Sequence, residues 1–339
     1  MLDRVRGAAL APSLALVLPL ALVLPLAACT GVQTPLDPWG VQADRIASLT
    51  WVLFIGGTAI FLLVFGLVAV ALGAPRRRLR ALMGTRRFVL AGGLVFPVVT
   101  LAALLVYAST VSRALSLPES SDPLRVEIVG RQYWWEVRYP DLGEGAVTAN
   151  ELHLPVGREV EMLFSSGDVI HSVWIPNLHG KMDMIPGRVN RQRLRVDRTG
   201  TLRGQCTEFC GLQHTWMAFW VVAHEPAEFE AWVARQRAPV PPPATEEQAH
   251  GMRVFGEAGC GACHAVRGTP WEGRLAPDLS RVGSRLSLAA GALDNHRGTL
   301  AGWTAGSQDI KPGNAMPSFG RALDGADLLA VAAWMESLR

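Results

Sequence analysis

Hydrophobic patterning divides the chain into successive regimes. Residues 1–28 begin basic (Arg4, Arg6) and continue as an apolar run broken by Pro12, Pro19 and Pro25. Those prolines argue against a long stable helix and for a secretory signal peptide. Two longer apolar stretches follow, 46–72 and 88–108, each reaching the roughly 20 residues that cross a bilayer as a helix. From about residue 123 to 223 the pattern alternates, and 126–129, 159–164 and 218–223 read as short strands of an antiparallel sandwich or barrel. The segment 238–244, Ala-Pro-Val-Pro-Pro-Pro-Ala, predicts a stiff, extended linker. Beyond it, 246–258 and 325–338 fit amphipathic helices. The organisation predicted is a signal peptide (1–28), a two-helix transmembrane hairpin (29–110), an all-β domain (122–235), a linker (236–245) and an all-α domain (246–339).

Charge orients the hairpin. Arg76, Arg77, Arg78, Arg80, Arg86 and Arg87 lie between the apolar stretches. Short arginine-rich loops stay in the cytoplasm, so both hairpin ends face outward. The expected location is the bacterial cytoplasmic membrane, with lipid as a partner and the later domains on the periplasmic side. Half of the 339 residues are hydrophobic and only 18% are charged, more apolar than a purely soluble chain. Lysine occurs only at Lys181 and Lys311, which reads as genome composition. No basic–aromatic stripe argues for nucleic acid. The signal segment ends Leu26-Ala27-Ala28-Cys29. Small residues before a cysteine resemble the lipobox of bacterial lipoproteins, which implies lipidation of Cys29; an ordinary cleavage site beside an incidental cysteine is the alternative.

The remaining cysteines fall in two pairs. Cys260-Gly261-Ala262-Cys263-His264 is the C-x-x-C-H pattern of c-type haem attachment. Two thiols add to the porphyrin vinyl groups and His264 offers its imidazole to iron. A redox thiol pair would need no following histidine, and a zinc site would need a second ligand pair. Met316, in the loop Lys311-Pro312-Gly313-Asn314-Ala315-Met316-Pro317, supplies a sixth ligand, and a thioether opposite histidine raises the haem potential. Residues 246–339 resemble class I cytochrome c, with Trp334 near the haem or simply in the core.

Cys206, Cys210, His214 and Met217, with His171 upstream, form a second cluster. Thiolates, imidazole and thioether are the ligands that soft, redox-active copper prefers. The i, i+4 spacing of 206, 210 and 214 could instead line a helix face, the thiols could close as a disulfide, or zinc could take two cysteines and two histidines. Gly204, Gly211 and the strand after Met217 favour a loop, and zinc has no special use for a thioether.

Residues 40–232 resemble subunit II of the haem–copper cytochrome c oxidases, and the whole chain resembles the caa3 type, with its fused cytochrome c. The resemblance implies a cupredoxin barrel holding binuclear CuA. Cys206 and Cys210 would bridge two coppers, with His171, His214, Met217 and the Glu208 carbonyl completing the set. It also implies that the Glu208 carboxylate reaches a Mg²⁺ or Mn²⁺ shared with subunit I. Gln132-Tyr133-Trp134-Trp135 matches the family's aromatic run, with Tyr133 where a tryptophan usually stands; Tyr133 and Trp134 are the electron-entry candidates, or else plain core. Asp183 and Arg188 match a stretch facing subunit I. The glutamate many relatives carry before a proline in the second helix has no counterpart before Pro97, which puts proton entry through this subunit in doubt. His153, His179, His224, His250 and His296 have no matching role and read as structural or surface groups.

The function implied is electron entry into a proton-pumping oxidase that reduces oxygen. Electrons pass from a cytochrome c or a quinol-oxidising complex through haem c and CuA to subunit I, with other oxidase subunits as partners. No bond-making step on a substrate is expected in this chain. The competing readings are a subunit of a CuA-containing nitric oxide reductase and a copper-delivery assembly factor, the latter opposed by the covalent haem motif.

Overall fold

The computed structural model describes residues 30–73, 81, 83–116 and 122–339. The signal segment with Cys29, and Arg76, Arg77, Arg78 and Arg80, lie outside the described residues. Two long helices come first: α1 (Val41–Gly73), then α2 (Arg86–Leu90) running through a π-helical turn (Ala91–Val95) into α3 (Phe96–Ser116). Phe54, Phe61, Leu101 and Leu105 on these helices are 63–67% exposed, so no protein surface covers them. Such sides are stable only in lipid or against another chain. The start of α1 is tied down instead. The side chain of Gln42 accepts a hydrogen bond from Arg195 N, and the buried Asn177 side chain accepts from Thr34 N and donates to the carbonyls of Gly31 and Asp37.

The alternating region folds as two facing five-stranded sheets. One has the order β3 (Val147–Ala149), β2 (Trp134–Arg138), β1 (Leu124–Arg131), β5 (Glu159–Ser166), β8 (Asn190–Arg195). The other runs β4 (Glu151–Pro155), β10 (Ala218–His224), β9 (Gly200–Cys206), β6 (His171–Trp174), β7 (Met182–Met184). Inward residues such as Val126, Ile128, Trp135, Phe164, Leu202 and Val221 fill the space between them. Each large apolar side chain buried there contributes about 1.5–3 kcal/mol. This is the cupredoxin-like domain. Its pairing departs from the antiparallel expectation, because β1 with β5 and β4 with β10 are parallel. Alternation in the sequence reports which face a side chain takes, not which way the neighbouring strand runs.

Helix α4 (Pro226–Arg237) closes the barrel, burying Phe229, Trp232, Val233 and Gln236. The haem-motif region is helical: α5 (Glu246–Glu257), α6 (Arg297–Ile310) and α7 (Gly325–Ser337) pack about Phe255, Trp271 and Trp334, whose ring centroids are 4.9–5.6 Å apart. Helices α5 and α7 cross at Gly251, where a Cβ would lie 2.0 Å from the Ala330 carbonyl oxygen, so only glycine permits the crossing. Trp334 is thus a core residue of this crossing.

Candidate metal and haem centres

Strand pairing assembles the first site. Strands β6 and β9 are neighbours, with Val173 opposite Cys206, which brings His171 beside the end of β9. The chain then leaves the ladder for a loop and returns at Met217, whose carbonyl accepts a hydrogen bond from Cys206 N. Residues 206–214 therefore form a loop, not one helix, with a single 3-10 turn at His214–Trp216.

The donor atoms converge. Cys206 Sγ lies 3.9 Å from Cys210 Sγ, 4.0 Å from His171 Nδ1 and 3.3 Å from the Glu208 carbonyl oxygen. Cys210 Sγ lies 3.7 Å from His214 Nδ1 and 3.8 Å from Met217 Sδ. Both cysteines are free thiols, and with His171 they make a buried group whose donor atoms all fall within 4.8 Å of one another. Thiol, imidazole and thioether donors around one buried point fit soft metal ions.

The electrostatics favour a thiolate. The hydrogen bond shared with Cys210, against the burial that opposes charge, holds Cys206 well below the usual thiol range, with His171 helping. The same bond, together with burial, pushes Cys210 up. Burial also opposes a charged His171 ring, but Cys206 and Asp168 outweigh it and raise its pKa. Asp168 was not found from the sequence. Its Oδ1 sits 2.8 Å from His171 Nε2 and its Oδ2 accepts from Gln132 N at 2.6 Å, which aims Nδ1 at the sulfurs. Gln132 Nε2 donates to the Cys210 carbonyl at 2.6 Å. Gly130 leaves room for the imidazole, since a Cβ there would come within 2.8 Å of the His171 ring.

The aromatic run divides. Tyr133 is buried and its hydroxyl accepts from Leu212 N, within the sulfur-bearing loop. Trp134 is half-buried, with the Arg131 guanidinium 5.9 Å from its ring centroid. Trp135, fully buried, is the ring that meets His171, edge-on at 6.0 Å. The Glu208 carboxylate is exposed 3.6 Å from Lys181, and Asp183 approaches the same ammonium at 3.5 Å. Arg188 is exposed on the turn after β7.

In the helical domain, Cys260 and Cys263 flank a 3-10 turn as free thiols. His264 Nδ1 donates to the Pro277 carbonyl at 2.7 Å, which fixes the tautomer and leaves Nε2 open to a ligand. Burial lowers the His264 pKa, so the ring stays neutral, the form a metal requires. The Met316 backbone is pinned on both sides: its carbonyl accepts from Ser307 Oγ and Gln308 Nε2, each at 2.7 Å, and its N–H donates to Asn314 Oδ1. Two free thiols, a neutral imidazole with one open nitrogen and a loop-held thioether fit a covalent haem. Among the described residues no hydrogen bond joins His264 to Met316.

The other histidines have structural partners. His153 stacks on Trp232 at 4.2 Å and bonds His224 and Glu151; His179 accepts from Gly180 N; His250 pairs with Asp327; His296 caps α6.

Two family models match the chain: "Cytochrome C oxidase subunit II, periplasmic domain" over residues 145–224 and "Cytochrome c" over residues 248–339. Cytochrome c oxidase subunit 2 of Alkalihalophilus pseudofirmus is 32% identical over 326 residues, covering 92% of this chain and 93% of that one. The Bacillus subtilis protein of the same name is 29% identical, covering 65% and 64%. Among solved structures, the periplasmic domain of subunit II of cytochrome oxidase of Bradyrhizobium japonicum is 30% identical, covering 35% of this chain and 96% of that one, with a TM-score of 0.34. The chain belongs to the cytochrome c oxidase subunit 2 family, in the form that carries a fused cytochrome c domain. It is the electron-entry component of an oxidoreductase complex and associates with other oxidase subunits.

Proposed function

We propose that His171, Cys206, Cys210, His214, Met217 and the Glu208 carbonyl hold a binuclear CuA centre, and that Cys260, Cys263, His264 and Met316 hold haem c. The observation that carries this reading is the buried network of sulfur and imidazole contacts that Cys206 and Cys210 make at 3.7–4.0 Å. When bound, the two groups supply one-electron transfer at a potential a thioether ligand raises. The chain's own residues orient the ligands and exclude water. Asp168 turns His171, the Pro277 carbonyl turns His264, and the apolar barrel around Met217 keeps the copper nest dry.

The remaining assignments follow from the same reading. Electrons arrive from a cytochrome c or a quinol-oxidising complex and leave toward subunit I, with Tyr133 or Trp134 available as an entry ring. The exposed Glu208 carboxylate, beside Asp183, is a hard ligand for Mg²⁺ or Mn²⁺ at the boundary with subunit I. The two apolar helices anchor the chain in a bacterial cytoplasmic membrane with both domains on the periplasmic side, and Cys29 carries a lipid.

Metal and haem analysis of the purified membrane complex tests the proposal. Two coppers and one covalent haem per chain are expected, with a mixed-valence copper signal lost in Cys206→Ser. One copper per chain, or a signal indifferent to that substitution, would contradict it.

A further inference from the structure

The proline segment is not all that holds the haem domain. Lys311, five residues before Met316, is only 2% exposed. Its Nζ donates to three carbonyls: Tyr133 at 2.9 Å, Trp216 at 2.8 Å and Ala289 at 2.8 Å. Two of these belong to the β domain and one to the haem domain. Trp216 precedes Met217, and Tyr133 bonds the sulfur-bearing loop through its hydroxyl. Burying an ammonium costs several kcal/mol unless its protons are all used. Here all three are used, and no carboxylate is among the partners. A compact ammonium serves three converging carbonyls from one nitrogen, whereas a planar guanidinium spreads its donors over three. That geometry gives a physical reason for a lysine at this position in a chain that otherwise uses arginine almost throughout.

The neighbouring contacts point the same way. Gln213 Nε2 donates to the Pro312 carbonyl at 2.9 Å, joining the residue before His214 to the loop that carries Met316. The turn between β11 (Ser287–Leu288) and β12 (Leu293–Asp294) holds Ala289 and Ala290 at φ 53° and 61°, a left-handed conformation costly for residues with a Cβ. It presents two successive carbonyls to the interface: that of Ala289 to Lys311, and that of Ala290 to Ala218 N at 3.0 Å.

We propose that Lys311 is the positioning residue that seats the haem domain on the copper loop, so that transfer within the chain runs in one docked geometry and not from a freely tethered haem. The proposal rests on the copper and haem assignments made above.

The test uses the complete oxidase complex with Lys311→Met, and Lys311→Gln as a second variant that keeps a side-chain donor. A soluble ruthenium photoreductant reduces the haem by a light pulse, and the copper band reports arrival of the electron. Loss of a buried charge-assisted anchor predicts transfer slowed about tenfold or more in Lys311→Met, with Lys311→Gln between it and wild type. Haem absorption, haem potential and the copper paramagnetic signal stay unchanged. Equal rates in wild type and both variants overturn the seat alone. An altered haem spectrum in both variants also overturns it, because Lys311 then acts on the Met316 ligand. A wild type whose reduced haem passes no electron to copper overturns the cofactor assignments, and the seat with them.

Discussion

The proposed copper nest and the proposed haem site draw on the same side chains, thiol, imidazole and thioether, in opposite states of assembly. In the nest each of His171, Cys206, Cys210, His214 and Met217 already touches another donor, and the three most central are buried. In the haem domain the four groups are spread from 260 to 316, Cys263 is exposed, and His264 and Met316 are each held by their own partners instead of by each other. A small ion can be caged by one loop between two paired strands. A macrocycle has to be enclosed, so its ligands come from opposite ends of a domain and approach each other only across it.

That contrast predicts different sensitivities. The nest depends on shared contacts, so a neighbour that merely orients a ligand matters there. Asp168→Asn removes the charged partner of His171 Nε2, and copper affinity should fall about ten- to a hundredfold, with the haem spectrum unaltered. Competition with a copper chelator measures this; unchanged affinity would show that strand pairing alone aims His171. In the proposed haem site His264 and Met316 are held separately. Met316→Ala should lower the haem midpoint potential by at least about 59 mV, a tenfold change in a one-electron equilibrium. Redox titration reads it, and a potential that stays put removes Met316 from the iron.

A smaller effect concerns acid. Burial, with His153 and Arg235 nearby, lowers the His224 pKa to about 4, and burial lowers that of His179 to about 4. Unfolded histidine titrates near 6.5, so between roughly pH 6.5 and 4 the unfolded chain binds protons the folded β domain refuses. Stability is complete above that window and declines through it, each group contributing less than about 1.4 kcal/mol per pH unit. Thermal unfolding should show the decline, with a shallower slope in His179→Gln.

The same contrast explains what could be read from the sequence. The haem motif is contiguous, and Met316 stands in a loop marked by proline and glycine, so both are visible as spacing. The copper ligands are nearly so, because one loop carries most of them, although His171 needed the pairing of β6 with β9 to bring it in. Asp168 has no signature, being an ordinary carboxylate three residues before a histidine, and the Pro277 carbonyl belongs to no side chain at all. Helix α4 repeats apolar positions at 229, 232 and 233 and was legible in principle; α6 was not, since Gly298, Gly302 and Gly306 dilute its pattern and Gly306 leaves helical geometry altogether. The parallel strand pairs were hidden because alternation is blind to direction. Lys311 was visible as one of two lysines, but only its three carbonyl partners turn that oddity from composition into structure.

The central claim is an order: haem first, copper second. Anaerobic stopped-flow reduction of the purified complex by its donor, following haem and copper bands together, tests it most directly. Haem should reduce before copper, and a Cys260→Ser, Cys263→Ser double variant that attaches no haem should leave copper oxidised on that timescale. Copper reduced at the normal rate without the haem would contradict the claim.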